Sequence, residues 1–117
     1  MGDLTLNFSR WEFKCPHCGR LVGPTIALVT MLQRARTGQC KPLHIVDSYR
    51  CPAYNKSIGG IIGSQHLLGN AADVSPFFAT ADQWERYGAL GIGFNDSGVT
   101  HVDMTPGWHG LRFRDQH

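Results

Sequence analysis

No run in this 117-residue chain is long and apolar enough to cross a membrane, so bilayer insertion is not expected. A strong charge of one sign is also missing. Eleven Lys and Arg stand against nine Asp and Glu, with no basic block, so no nucleic-acid partner is expected. Repeats, low-complexity segments and linkers are absent too. With 42% hydrophobic and 17% charged residues, the composition fits one folded domain over 1–117, with a monomer as the default state. The opening Met1-Gly-Asp-Leu-Thr-Leu-Asn lacks the charged and apolar regions of a secretion signal. The expectation is cytoplasmic synthesis, with any action outside the cell needing another exit route. Neither Ser48 nor Ser64 sits in the strand-to-helix elbow of a serine nucleophile, which argues against acyl-enzyme chemistry. Arg112, Arg114 and His117 read as a mildly basic, solvated end.

Glycine, by contrast, is abundant: fourteen residues imply tight turns or a loop-built site. The four cysteines, Cys15, Cys18, Cys40 and Cys51, read as thiols or metal ligands in a cytosolic protein. Cys15-Pro-His17-Cys18-Gly19 imitates half of a zinc knuckle. The other half would have to be Cys40 and Cys51, eleven apart, which is poor spacing. No second structural ion is therefore expected at Cys15 and Cys18.

Local signals order the rest of the chain. Phe8 to Phe13 reads as a helical turn capped by Ser9, with Glu12 completing a capping box. Pro24 can open a helix that carries Ile26, Leu28, Val29, Met31 and Leu32 and ends near Gly38. Pro42 to Asp47 reads as a buried strand, followed by a long loop from Ser48 to His66. Ala71 to Val74 reads as a short strand. Thr80 caps a helix with Trp84, Tyr87 and Leu90 on one face. Gly91–Phe94 and Val99–Met104 form a hairpin across Asn95-Asp96-Ser97-Gly98. Helices beside short, mostly antiparallel strands predict an α+β fold, with Trp11, Trp84 and Phe94 in its core.

Chemistry concentrates in Ser64-Gln-His66-Leu-Leu-Gly69-Asn-Ala-Ala-Asp73 and Thr100-His101-Val-Asp103. Two imidazoles and a carboxylate (His66, Asp73 and His101) can hold a zinc ion and leave its fourth position open to water. His101 and Asp103 are two apart on a strand and share a face, so Asp103 can orient an imidazole or take a proton from metal-bound water. Arg50 can present two donors to a substrate carbonyl or carboxylate, or form an ordinary salt bridge. Asn55 and Ser64 read as loop-shaping hydrogen-bonders, and Trp108-His109 as a groove edge or a surface aromatic patch.

Ser48-Tyr49-Arg50-Cys-Pro-Ala-Tyr-Asn55, Gly59-Gly60, the Ser64–Asp73 segment and His101-Val-Asp103 together resemble the M15 family of zinc peptidases. Phe8-Ser-x-x-Glu12-Phe-x-Cys15 extends the likeness to nearly the whole chain, closest to short D-alanyl-D-alanine carboxypeptidase-like domains of phages and bacteria. The resemblance implies the small fold shared with the hedgehog signalling domain. It also implies one zinc on His66, Asp73 and His101, and peptide bonds of bacterial peptidoglycan as substrate. Arg50, with Tyr49 and Ser64, is the implied substrate-contacting set. Where the family places an acidic proton acceptor three residues before the last histidine, this chain has Gly98. Asp103 takes that role in this reading, with Asp96 second. The competing reading is a non-catalytic wall- or protein-binding module of the same fold.

Overall fold

A computed structural model describes residues 2–60 and 63–115; His117 of the basic end lies outside them. Side-chain caps set the helix starts. Thr25 Oγ1 accepts the Leu28 N–H at 3.2 Å and opens α1 (Ile26–Gln39). Its buried Leu28, Met31 and Leu32 each contribute roughly 1.5–3 kcal/mol of apolar burial. Cys51 opens a short α2 (Pro52–Ser57), with Pro at the first position, inside the stretch expected to be loop. Thr80 and Gln83 form a reciprocal capping box at 3.2 and 2.9 Å and open α3 (Ala81–Tyr87). Gly88, at φ 106°, ends α3, so Leu90 lies beyond it.

Five strands complete an α+β architecture: β1 (Ile45–Asp47), β2 (Ala71–Val74), β3 (Gly91–Asn95), β4 (Gly98–Asp103) and β5 (Leu111–Arg114). Their order across the sheet is β1-β2-β4-β3-β5, antiparallel except for the β3/β5 pair. β1 begins three residues later than the sequence suggests. The larger departure is β5. The C-terminal Arg112 and Arg114 belong to a strand paired with β3, not to a solvated tail.

Strand alternation then divides the two faces. Ala72, Val74, Ile92 and Val102 point into a core shared with Phe8, Phe13, Leu28, Met31, Leu32 and Trp84. The opposite face carries Asp73, His101 and Asp103. In register, Asp73 lies beside His101, and His101 beside Gly93, whose other neighbour is Phe113. Glycine is required in β3 because this face is crowded. A Cβ on Gly91 would stand 2.2 Å from Asp103 Oδ1, and one on Gly93 would stand 2.9 Å from the His101 Cβ.

Two aromatic expectations change. A 3₁₀ turn at Arg10–Phe13 sends Phe13 fully into the core and leaves Trp11 72% exposed on its outer side. Phe94 is half-buried beneath the Arg114 guanidinium, 5.7 Å from the ring centre. Trp84 is core, as expected.

Candidate metal centre

His66 rides on a 3₁₀ turn (Gln65–Leu68) whose start Ser64 caps, its Oγ accepting the His66 N–H at 3.2 Å. His66 Nδ1 lies 2.7 Å from the Ser48 carbonyl oxygen. A carbonyl only accepts, so Nδ1 carries the hydrogen and Nε2 offers its lone pair to the site. On β4, His101 Nε2 lies 2.7 Å from Asp103 Oδ2 and carries a hydrogen for the same reason. That turns His101 Nδ1 towards the site.

The three inward atoms form a near-equilateral triangle. His66 Nε2 is 3.2 Å from His101 Nδ1 and 3.2 Å from Asp73 Oδ1, which is 3.4 Å from His101 Nδ1. Asp73 Oδ1 is buried and has no hydrogen-bond partner. Tetrahedral zinc with bonds of about 2.0–2.1 Å spaces its nitrogen and oxygen ligands by about 3.3 Å. The donor set and its spacing fit such an ion. Both imidazoles also have the outer partner that fixes a metal-binding tautomer.

Charge around the triangle is arranged to keep Asp73 ionised. Burial raises its pKa, but the facing His101 and His66 imidazoles and the Arg50 guanidinium hold it well below the usual carboxylate range. Burial likewise works against charge on His101, yet Asp103 and Asp73 raise its pKa to about 9. In the metal-free protein a proton thus takes the place of a cation. Asp103 is lowered despite burial, by His101 and by Thr105.

Arg50 forms salt bridges, one of the two roles open to it. Its guanidinium is buried, with Nε donating to Asp47 Oδ2 at 2.9 Å and Nη2 to Asp73 Oδ2 at 2.5 Å. It therefore acts on Asp73, although it also forms part of the neighbouring cleft wall. Asp103 meets an imidazole, the first of the two roles open to it. One oxygen is on His101 and the other accepts from Thr105 N–H at 3.0 Å and Oγ1 at 2.6 Å, leaving it poorly placed to collect a proton. Asp96, the second candidate acid, is exposed at the hairpin tip and paired with Arg114. Tyr49 points away from Ser48 and Arg50, as alternation in extended chain requires. It is buried with Cys15, Cys51 and Tyr54 and is not among the residues lining the cleft.

The cleft holds about 520 Å³ and is lined by His66, His101 and Ser64 together with Trp108, Phe113 and Asp115. Phe113 meets His101 edge-on, with ring centres 5.4 Å apart. Sequence reasoning singled out neither Phe113 nor Asp115. The only local signal was the Leu111-Arg112-Phe113-Arg114 alternation. Asp115 Oδ2 accepts from Thr100 Oγ1 at 2.6 Å, and its Cβ flanks the same point above Gly93 as the His101 Cβ does.

The family model Peptidase M15 matches residues 3–103, from the N-terminal segment through His101 and Asp103. The chain belongs to this family. No curated protein matches it. Peptidases of the M15 family are zinc-dependent in general, which accords with the donor triangle. The match ends at Asp103, before Trp108, Phe113 and Asp115.

Proposed function

We propose that this M15 family member is a zinc-dependent peptidase that hydrolyses peptide bonds of bacterial peptidoglycan. One observation carries the reading: two imidazoles of fixed tautomer and a carboxylate oxygen without a hydrogen bond converge on one point, and both imidazoles line a cleft. Zinc held by His66, Asp73 and His101 would lower the pKa of its water to roughly 7 and polarise the scissile carbonyl.

The surrounding residues divide the remaining work. Arg50 holds Asp73, and Asp103 holds His101, so both are positioning residues. Ser64 shapes the turn that presents His66. Trp108 and Phe113 give the cleft an apolar wall against which a peptide side chain can pack, with water excluded from the reacting bond. Asp115 is the remaining carboxylate on the cleft wall among the described residues. In this reading it accepts the attacking water's proton and returns it to the leaving amine, replacing the acid absent at Gly98. Asp115→Asn should lower kcat by about 10²–10⁴-fold while zinc content and KM hold steady. Unchanged kcat would assign the proton transfer elsewhere.

Action on the wall implies passage out of the cell, through a partner's membrane lesion or as part of a phage particle. The working unit is a monomer, with residues 1–117 forming one peptidase domain. The test is mass spectrometry of purified peptidoglycan after digestion by zinc-loaded protein, with and without chelator. Chelator-sensitive release of defined peptides is expected. Intact substrate from folded, zinc-loaded protein would point to the non-catalytic binding module, which the glycine at position 98 favours.

A further inference from the structure

A second set of metal-binding side chains stands outside the cleft. Cys15-Pro16-His17-Cys18-Gly19 folds into a tight turn: Gly19, at φ +72°, donates its N–H to Cys15 O at 2.8 Å, and the Cys15 N–H donates to Arg20 O at 2.8 Å. Cys51, which follows α1 and β1 in the sequence, meets this turn. The sulfurs of Cys15, Cys18 and Cys51 all lie within 4.8 Å of one another, and all three are free thiols. His17 Nδ1 lies 3.4 Å from Cys51 Sγ, and its ring stacks on Tyr54. Cys40, poorly spaced from Cys51 for a second knuckle pair, is exposed at the C-terminal end of α1, where its thiol donates to Thr37 O.

We propose that Cys15, Cys18 and Cys51, with His17 as fourth ligand, form a closed structural zinc site. Three observations carry this. Tetrahedral zinc with sulfur bonds of about 2.3 Å spaces sulfurs by about 3.8 Å, and a sulfur and an imidazole nitrogen by about 3.5 Å. The cluster needs only small rotamer adjustments to meet those separations. Backbone N–H groups already point at two of the sulfurs, Cys51 N–H at Cys15 Sγ (3.3 Å) and Tyr54 N–H at Cys51 Sγ (3.4 Å), an arrangement that stabilises thiolates. The third is arithmetic. A disulfide would use two sulfurs and strand the third, whereas one soft divalent ion uses all three together with His17.

The site would have a definite mechanical role. Cys51 follows Ser48-Tyr49-Arg50, whose Ser48 carbonyl fixes the His66 tautomer and whose Arg50 guanidinium holds Asp73. Besides the cluster, this segment is tied to the N-terminal segment by the Tyr49 N–H bond to Phe13 O at 3.2 Å. A four-ligand ion would clamp the two together and so hold the catalytic ligands' supports. The inference rests on the cluster's geometry and stands whether or not the cleft is a peptidase.

Metal counting by plasma mass spectrometry, combined with Co²⁺ titration of the metal-free protein, tests it. Two zinc ions per chain are expected, falling to one in Cys15→Ser/Cys18→Ser and staying at two in Cys40→Ser. Cobalt should produce sulfur-to-metal charge transfer and strong tetrahedral d–d bands. Both should persist in His66→Ala, which loses only the cleft ion. Wild-type protein whose cobalt complex lacks the thiolate band would overturn the site, as would an intact mass lower by two hydrogens. Because the wild-type titration needs no substitution, it decides the matter even if the double variant fails to fold.

Discussion

Removing Arg50 should expose how the metal centre is held together. Its guanidinium is 3% exposed and bridges two carboxylates, Asp47 and Asp73, that are themselves 10% and 15% exposed. Arg50→Met keeps most of the packing and deletes the charge, leaving two buried carboxylates facing each other. Breaking a buried ion pair from one side costs about 3–5 kcal/mol. For a chain of this length that lowers Tm by roughly 12–20 °C. The pH dependence has a definite sign. Burial already raises Asp47 despite Arg50, so its ionised form opposes folding, and stability tied to it is lost as pH rises through its folded pKa. Asp73 is depressed by its cationic neighbours, so its contribution is present above the ordinary carboxylate range and lost as pH falls. Without Arg50 both carboxylates shift upward. The penalty should therefore be largest near pH 8 and shrink towards pH 5, where the variant can take up a proton. Zinc should stabilise the variant more than the wild type, since a cation on Asp73 replaces part of the missing charge. Arg50→Lys, with one charge but no fork, should recover about half the loss. Urea unfolding of metal-free protein at pH 5 and 8 measures all of this. A loss below about 1 kcal/mol, or one equal at both pH values, would refute the reasoning.

The remaining expectations concern how the histidines are held. Asp103→Asn should weaken zinc binding about 10–100-fold with the fold intact, as read by competition with a chromogenic chelator. Unaltered affinity would mean that the His101–Asp103 contact does not orient the ligand. Gly91→Ala should produce a similar loss without touching any ligand, because its Cβ would sit 2.2 Å from Asp103 Oδ1. Crystal structures of the variant should show Asp103 displaced, and an unmoved Asp103 with normal affinity would contradict the steric argument. His101, raised to about 9, contributes stability to the metal-free protein that is fully present below about pH 6.5 and lost as pH rises through 9. Zinc must displace that proton, so apparent affinity should climb by about tenfold per pH unit between pH 7 and 9. Calorimetry in buffers of different ionisation enthalpy at pH 7.5 should register the release, and binding without it would rule out a protonated His101.

Where the chain spoke locally, the sequence was sufficient. His66 and Asp73 share one short segment, and Ala71–Val74 carries its own strand signal, so their convergence needed only a turn and a strand. The two-residue spacing of His101 and Asp103 placed both on one face without knowledge of the fold. What sequence could not supply was the partner on each remaining atom. Arg50 was equally consistent with a substrate clamp and a salt bridge, and only the β1–β2 pairing, which sets Asp47 beside Asp73, reveals the salt bridge. Asp103 was legible as an acid near the metal. Whether its oxygens meet an imidazole or open cleft depends on Thr105 and on the Gly91 backbone beside it. The same limit explains Cys51 and Asp115. Each reaches its cluster through long-range strand or loop contacts, and spacing along the chain measures only how far apart residues start. For that reason the spacing of Cys40 and Cys51 argued against a second half of the knuckle, although the fold carries Cys40 away at the end of helix α1 and delivers Cys51 to it.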